Sequence, residues 1–165
     1  MRRALIATTL LALGTLSTMS ARVARAGVHE RRPNAPAVNA CSGWPEHQER
    51  RWTGRWNDAA GWRFSFALSL RRQSGVVSGQ IVWTLAGTTD TSMRARVGSS
   101  AIERVRGTVD CAAGALVFAG YELTDASLIG LDIYRASIAN RPQITGQTRG
   151  SDGRWDGVLV GTERP

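Results

Sequence analysis

Glycine recurs at the centre of short alternating segments along most of this chain. From Arg51 onward, apolar residues alternate with polar or small ones, which is the pattern of strands with one buried and one exposed face. The clearest case runs from Trp62 to Leu70, where large apolar residues take every even position. Seven of the eight segments also carry a glycine on their apolar face, namely Gly54, Gly79, Gly107, Gly120, Gly130, Gly146 and Gly157.

Short joints separate most of these segments. The predicted strands span 51–57, 62–72, 76–86, 102–111, 115–123, 128–139, 143–150 and 154–162. Turn residues such as Ser74-Gly75 and Ser151-Asp152-Gly153 stand between them and predict an up-and-down meander. The exception is 87–101, which we interpret as a long loop across one mouth or a weak extra strand, and as the one place for a short helix.

The repeated glycines indicate how the meander closes. Glycine weakens a strand unless the chain must bend sharply or another surface must come close. Repeated at one inward position, it suits the tight coiling of a small barrel, and closure also removes exposed strand edges. The sequence therefore predicts an all-β domain, a single antiparallel up-and-down β-barrel of about eight strands. A sandwich or a half-open barrel is the alternative.

The beginning of the chain follows the plan of a secretory leader. Met1-Arg2-Arg3 precedes an apolar run that is too short to span a bilayer, and small residues end at Ala26. We predict cleavage after Ala26, with Ala21 as the other possibility. The predicted organisation is a signal peptide over 1–26, an extended N-terminal arm over 27–50 and the barrel over 51–163. The protein is then periplasmic or extracellular, with no membrane span.

The basic composition does not point to nucleic acid. The formal charge is +8 and every basic residue other than histidine is arginine. Removal of the leader, which holds four arginines and no acid, lowers the net charge to +4. That charge is modest and scattered along the strands, so we expect no nucleic-acid partner.

Two cysteines in an exported protein favour a disulfide, and Cys41 with Cys111 is the available pair. The bond closes a loop for which chain entropy predicts about 4 kcal/mol of stabilisation. It is expected to pin the segment before the barrel onto the barrel wall. No zinc-type ligand spacing accompanies these cysteines, so neither a metal nor a cofactor is predicted.

A ring of residues follows from the inward glycines. The residues two places further on are Trp56, Ile81, Val109, Glu122, Asp132, Thr148 and Leu159. Glu122 and Asp132 are its acids, and Tyr134 follows Asp132 on the same face. Buried carboxylates need hydration, hydrogen bonds or partners, so these residues are candidates for a polar patch that orients a ligand.

An alternative for the two acids stays open. Glu122 and Asp132 would then lie at a mouth or pair across the wall with arginine, and one bulge would reverse the parity and turn them outward. The arginines in reach are Arg104, Arg106 and Arg149.

Aromatic residues fall mainly on the inward positions. Trp52, Trp56, Trp62, Trp83 and Trp155 are expected to fill the core or line a pocket. Trp44 is expected to plug one end. Because His29 and His47 stand only in the arm, and no nucleophile lies beside a base, no catalytic residue and no enzyme activity are predicted.

The segment Gly54-Arg55-Trp56 resembles the GxW opening of the calycin superfamily, the lipocalins and avidins. With Asn57, Gly61 and Phe64 it is similar to the first avidin hairpin, although Asn57 follows the tryptophan directly instead of one residue later. The resemblance implies an up-and-down barrel that holds a small apolar or amphipathic molecule. The residues by which avidins hold biotin are not recognisable, so none is carried over.

Three functions follow as hypotheses. The first is a non-enzymatic binding barrel that takes a small apolar or amphipathic ligand in a cavity of roughly 300 Å³ or more, between Trp56, Phe66, Trp83, Glu122, Asp132 and Tyr134. The second is a protein-interaction module acting on an extracytoplasmic protein through the arm and the 87–101 segment. Secreted metalloprotease inhibitors of bacteria, which are small disulfide-bearing barrels with such an arm, offer this comparison without a matching motif. The third is an envelope structural domain.

Overall fold

The computed structural model describes residues 39–153 and 156–165. The predicted signal peptide, the arm up to residue 38 and Trp155 lie outside the described residues. The strands are β1 (Glu49–Asp58), β2 (Arg63–Gln73), β3 (Val76–Gly87), β4 (Ser100–Asp110), β5 (Ala115–Leu123), β6 (Asp132–Ser137), β7 (Gln143–Gly150) and β8 (Asp156–Arg164). A 3₁₀ helix, Thr91–Arg96, joins β3 to β4.

Each strand pairs antiparallel with the next one along the chain, and β8 pairs with β1 to close the barrel. The seam is regular, with Gly54 opposite Gly161 and Trp56 opposite Leu159. The predicted closed, up-and-down, eight-stranded barrel is thus confirmed, and the sandwich and half-open alternatives are wrong.

The alternation of the sequence decides which face is inside. On β2 the even-numbered residues Phe64 to Leu70 are all buried, and the odd-numbered ones are not. The glycines on this inner face stand where a neighbouring strand comes close. A Cβ placed on Gly54 would lie 2.1 Å from the carbonyl oxygen of Val160, and one on Gly79 would lie 1.9 Å from that of Ser69. Only glycine allows this approach, as tight coiling of the barrel requires.

Two joints differ in detail from the prediction. The sixth strand begins at Asp132, so Gly130 lies in the preceding loop and not in a strand. The 87–101 segment contains the 3₁₀ helix and no extra strand. In the part of the chain that the structure describes, no helix is long and apolar enough to cross a membrane.

One end of the barrel is covered by residues 39–48, and we call it the plugged end. Cys41 is bonded to Cys111, as predicted, and the backbone N–H of Ala40 donates to the carbonyl of Cys111 at 2.8 Å. Trp44 is fully buried, with its ring edge-to-face on Trp52 at 5.8 Å. The last part of the predicted arm is therefore packed against the barrel, and Trp44 plugs this end as expected.

The glutamates at the plugged end form ion pairs with arginines. Glu163 lies 3.2 Å from the guanidinium of Arg50 and 3.2 Å from that of Arg141. Arg72 forms an ion pair with Glu46 at 3.0 Å and donates to the carbonyl of Trp44 at 2.8 Å. Arg50 is buried, and burial lowers its pKa while the negative charge of Glu163 raises it.

Candidate ligand-binding site

The end opposite the plug, where β1 ends and β2 begins, is called the mouth. A pocket opens there, lined by Trp56, Phe64, Trp83, Ile129, Gly130 and Asp132. Its cavity volume is about 10 Å³, close to what one water molecule needs. The expected cavity of roughly 300 Å³ is therefore wrong for this mouth pocket, because the large aromatic side chains fill the space between the strands.

Three aromatic rings form a corner at the mouth pocket. Trp56 and Phe64 lie 5.7 Å apart between ring centroids, with their planes at 67°. Trp83 completes the corner, 6.3 Å from Trp56 at 74° and 6.0 Å from Phe64 at 77°. Such edge-to-face contacts are favourable for aromatic pairs. The result is a rigid apolar wall built by β1, β2 and β3.

Deeper in the barrel, the aromatic packing continues away from the pocket. Phe66 contacts Trp83 at 5.7 Å and does not line the cavity. Tyr134 stacks on Phe118 at 4.5 Å and is almost completely buried.

Glu103 on β4 is the polar centre of the interior and is fully buried. Its carboxylate accepts hydrogen bonds from the indole N–H of Trp83 at 3.0 Å, the backbone N–H of Asp132 at 3.0 Å, and the hydroxyl of Tyr134. Burial raises the pKa of Glu103, and these three hydrogen bonds oppose that shift. A Cβ on Gly120 would lie 1.8 Å from its Oε1, so glycine at that position makes room for the carboxylate.

Asp132, the first residue of β6, lines the mouth pocket and is 4% exposed. Burial, and then the negative charge of Glu103, raise its pKa to about 8, while a hydrogen bond with Thr148 acts in the other direction. Its Oδ1 is buried and has no hydrogen-bond partner among the described residues. Thr148 also accepts a hydrogen bond from the indole N–H of Trp56 at 2.7 Å.

Glu122 does not lie in the interior, which corrects its predicted placement. The pairing of β4 with β5 shifts register, since Arg104 lies opposite Glu122 and Val105 lies opposite Gly120. Tyr121 is the additional residue of this bulge, and beyond it the alternation is reversed. Glu122 is consequently exposed on the outer wall, opposite Arg104, as the alternative interpretation allowed.

The structure thus brings together five of the predicted site residues, Trp56, Phe66, Trp83, Asp132 and Tyr134, although Phe66 and Tyr134 lie behind the pocket and not in its lining. It adds Glu103, which sequence reasoning missed. The signal was present, because Glu103 has the same parity as Val105, Gly107 and Val109, all on the inner face of β4. Glu103 stands before the glycine of its strand, outside the ring of residues that follow the inward glycines.

Two loops form the rim of the mouth. Leu128 and Ile129, in the loop between β5 and β6, are buried, and Ile129 lies against the pocket. Arg96 of the 3₁₀ helix holds this loop through Asp125 at 2.5 Å. Hydrogen bonds lower the pKa of Asp125 to about 2, and the one from Ser127 contributes more than the one from Arg96. The rim is therefore fastened by an ion pair at the surface.

Comparison of the chain with protein-family models, with curated proteins and with solved structures found no match. The closed antiparallel barrel is compatible with a calycin-like fold.

Proposed function

We propose that this chain is an exported, non-enzymatic binding barrel of calycin type that holds one end of a small amphipathic ligand at the mouth. The observation that carries the proposal is that Asp132, a residue lining an aromatic pocket, has a buried acceptor, Oδ1, without a described partner. Buried polar atoms without partners are rare in folded proteins, and a convergent polar group in an apolar pocket is typical of ligand sites.

Two features support the calycin type and the exported location. Gly54-Arg55-Trp56 lies on β1 of a closed meander of eight strands, which is where the resemblance to the calycins requires it. The Cys41–Cys111 disulfide is typical of oxidising compartments outside the cytoplasm. Both agree with a leader over 1–26.

The small volume of the pocket limits how a ligand binds. With about 10 Å³ available, only an end group enters, and the rest of the molecule lies over the rim near Ile129. The ligand then contacts Trp56 and Trp83 at the mouth and leaves the packed interior unchanged. This differs from the sequence-based hypothesis, in which the whole ligand lies inside the barrel.

The tryptophans make the proposal testable by position. We expect medium-chain amphiphiles, added below their micelle concentration, to shift the indole N–H signals of Trp56 and Trp83. Two-dimensional NMR recorded during the titration measures these shifts. The signals of Trp44 and Trp52, at the plugged end, serve as internal controls and should stay in place. Absence of any shift across alcohol, carboxylate and ammonium head groups would refute binding at the mouth.

A pair of matched substitutions sharpens this test. Ile129→Ala enlarges the mouth pocket and is expected to strengthen amphiphile binding several-fold, since roughly 25 cal/mol per Å² of newly buried ligand surface becomes available. Ile144→Ala removes the same atoms from a buried residue of β7 near the plugged end and should leave binding unchanged. Equal effects of the two substitutions would contradict a site at the mouth.

The packed interior also favours a second candidate, a protein-interaction module. The 3₁₀ helix Thr91–Arg96 has no buried residue and presents its surface to solvent beside the mouth. If this module acts through the arm, deletion of 27–39 should abolish binding of an extracytoplasmic partner while the barrel still folds. The arm itself lies outside the described residues except at its end.

A further inference from the structure

Two acids at the mouth, Asp125 and Asp132, differ in whether a described cation lies beside them. Asp125 has Arg96 at 2.5 Å. Asp132, although far more buried, has no cation among the described groups that influence it. The charged groups that act on it are acids, Glu103 on β4 and Asp152 in the loop before β8, and both raise its pKa. Tyr134, on the same strand as Asp132, is a third acidic group. Burial, followed by the charges of Glu103 and Asp132, raises the pKa of Tyr134 well above its usual value. Among the described residues, no cation therefore balances Asp132, and its carboxyl would need one when it is ionised.

Size restricts what could supply that charge. A volume of about 10 Å³ admits a group the size of water, and a primary ammonium group is of that size. A trimethylammonium group is several times larger and would have to displace Ile129 or an aromatic ring. A guanidinium group is planar and also too large.

The walls of the pocket suit the same group. Trp56, Trp83 and Phe64 line the pocket with their ring planes 67° to 77° apart, and tryptophan is the aromatic residue that attracts cations best. Oδ1 of Asp132 supplies an acceptor with no other described partner. We infer that the mouth pocket recognises a primary ammonium group, so that the ligand is an amphipathic primary amine.

This inference rests on the proposed function and names its ligand class. If the ligand is an ammonium ion, its binding must change the protonation of Asp132. An ammonium ion arrives with its proton, Asp132 is ionised in the complex, and the proton that Asp132 carries in the empty protein is released to solvent. Affinity should therefore fall as pH is lowered through the range in which the free carboxyl becomes protonated, while the alkylammonium remains charged.

The test compares four eight-carbon ligands on the full chain by calorimetry at about pH 8.5, where a group with pKa near 8 is mostly ionised. They are octylammonium, octyltrimethylammonium, octanol and octanoate. Octylammonium should bind at least tenfold more tightly than octanol, as one charge-assisted hydrogen bond provides. It should also bind more tightly than the trimethyl compound. In a second experiment at about pH 7, where the free carboxyl still carries its proton, the heat of octylammonium binding should depend on the ionisation enthalpy of the buffer, because that proton is released.

Asp132→Asn is the decisive variant, because the amide keeps the shape and removes the charge. It should lower octylammonium affinity to that of octanol and leave octanol binding unchanged. Glu122→Gln removes an exposed acid from the outer wall and should change neither. The Trp56 and Trp83 indole signals report in both variants that the mouth is still folded.

The possible failures are distinguishable. If octanol binds at the mouth as tightly as octylammonium, or if Asp132→Asn keeps the preference for the amine, the ligand class is wrong and the proposed function stands. Tighter binding of the trimethyl compound would likewise overturn the choice of a primary amine. If none of the four ligands shifts Trp56 or Trp83, the proposed function fails and the inference with it.

Discussion

The two ends of the barrel treat buried charge in opposite ways. At the plugged end, Glu163 is shared by Arg50 and Arg141, and a disulfide fixes the covering segment. At the mouth, the carboxyl of Asp132 is buried beside another acid and has no described cation. Ion pairing offsets the cost of burying charge at the plugged end, whereas an ionised acid without a partner at the mouth bears that cost in full. The mouth is therefore the end at which a buried charge lowers the stability of the fold.

The largest effect is expected from opening the plugged end. Replacing both cysteines by alanine (Cys41→Ala with Cys111→Ala) should lower the free energy of unfolding by about 4 kcal/mol. Without the cross-link, the unfolded chain regains the conformational entropy of the segment between the two cysteines. Urea unfolding measures the loss. The Trp83 indole signal should keep its position in the folded variant, since Trp83 lies at the mouth. A loss below about 1 kcal/mol would mean that the noncovalent contacts of the covering segment, those of Ala40, Trp44 and Glu46, hold the plug without the disulfide.

Glu163→Gln should be the next largest change. It leaves Arg50, which is buried, without its counter-charge, and breaking such a pair costs about 3 kcal/mol. Glu49→Gln is the matched control, because Glu49 pairs with the exposed Arg51 and should change stability by less than about 0.5 kcal/mol. Similar small losses for both would remove the contrast between the ends.

At the mouth, the same acid-to-amide change should act with the opposite sign. Asp132 is an acid whose pKa is raised from 3.8 to about 8 in the folded chain. Its ionisation therefore opposes folding, and the cost grows as pH rises from about 4 to about 8, then stays constant. Asp132→Asn removes this cost and should stabilise the protein near pH 8. A full conversion at about 1.4 kcal/mol per pKa unit is too large because solvent at the mouth screens the charge, so we expect a gain of about 2 kcal/mol.

Unfolding in urea across this pH range checks the sign. The gain from Asp132→Asn should be small near pH 5 and larger near pH 8. A loss of stability at every pH would show that the ionised carboxylate is paired after all.

The smallest effect is expected at Glu122. It lies on the outer wall opposite Arg104, where an exposed cross-strand pair contributes about 0.5 kcal/mol or less. Glu122→Gln should therefore leave the unfolding midpoint nearly unchanged. A loss as large as that of Glu163→Gln would indicate that the acid turns inward in solution.

Much of the fold was readable in the sequence because it depends on local alternation. The inner residues of β2, the glycines of close approach such as Gly54 and Gly79, and the Cys41–Cys111 bond all followed from parity or from the available partners. These features need no knowledge of register between distant strands.

The site was less readable because it depends on register and packing. Alternation does not reveal a bulge, so the reversal at Tyr121 that moves Glu122 outside became visible only in the pairing of β4 with β5. The size of the pocket depends on how Trp56, Phe64 and Trp83 pack against one another, which no sequence pattern specifies.

The seam between β1 and β8 has a consequence for how the molecule is made. It joins the first strand to the last, so the sheet has no complete set of hydrogen bonds until both have been synthesised. Contacts between such distant segments form slowly, because the entropy of bringing them together must be met first. A nascent chain that lacks its last strand therefore cannot yet close the ring, and β1 keeps one unpaired edge until β8 reaches it.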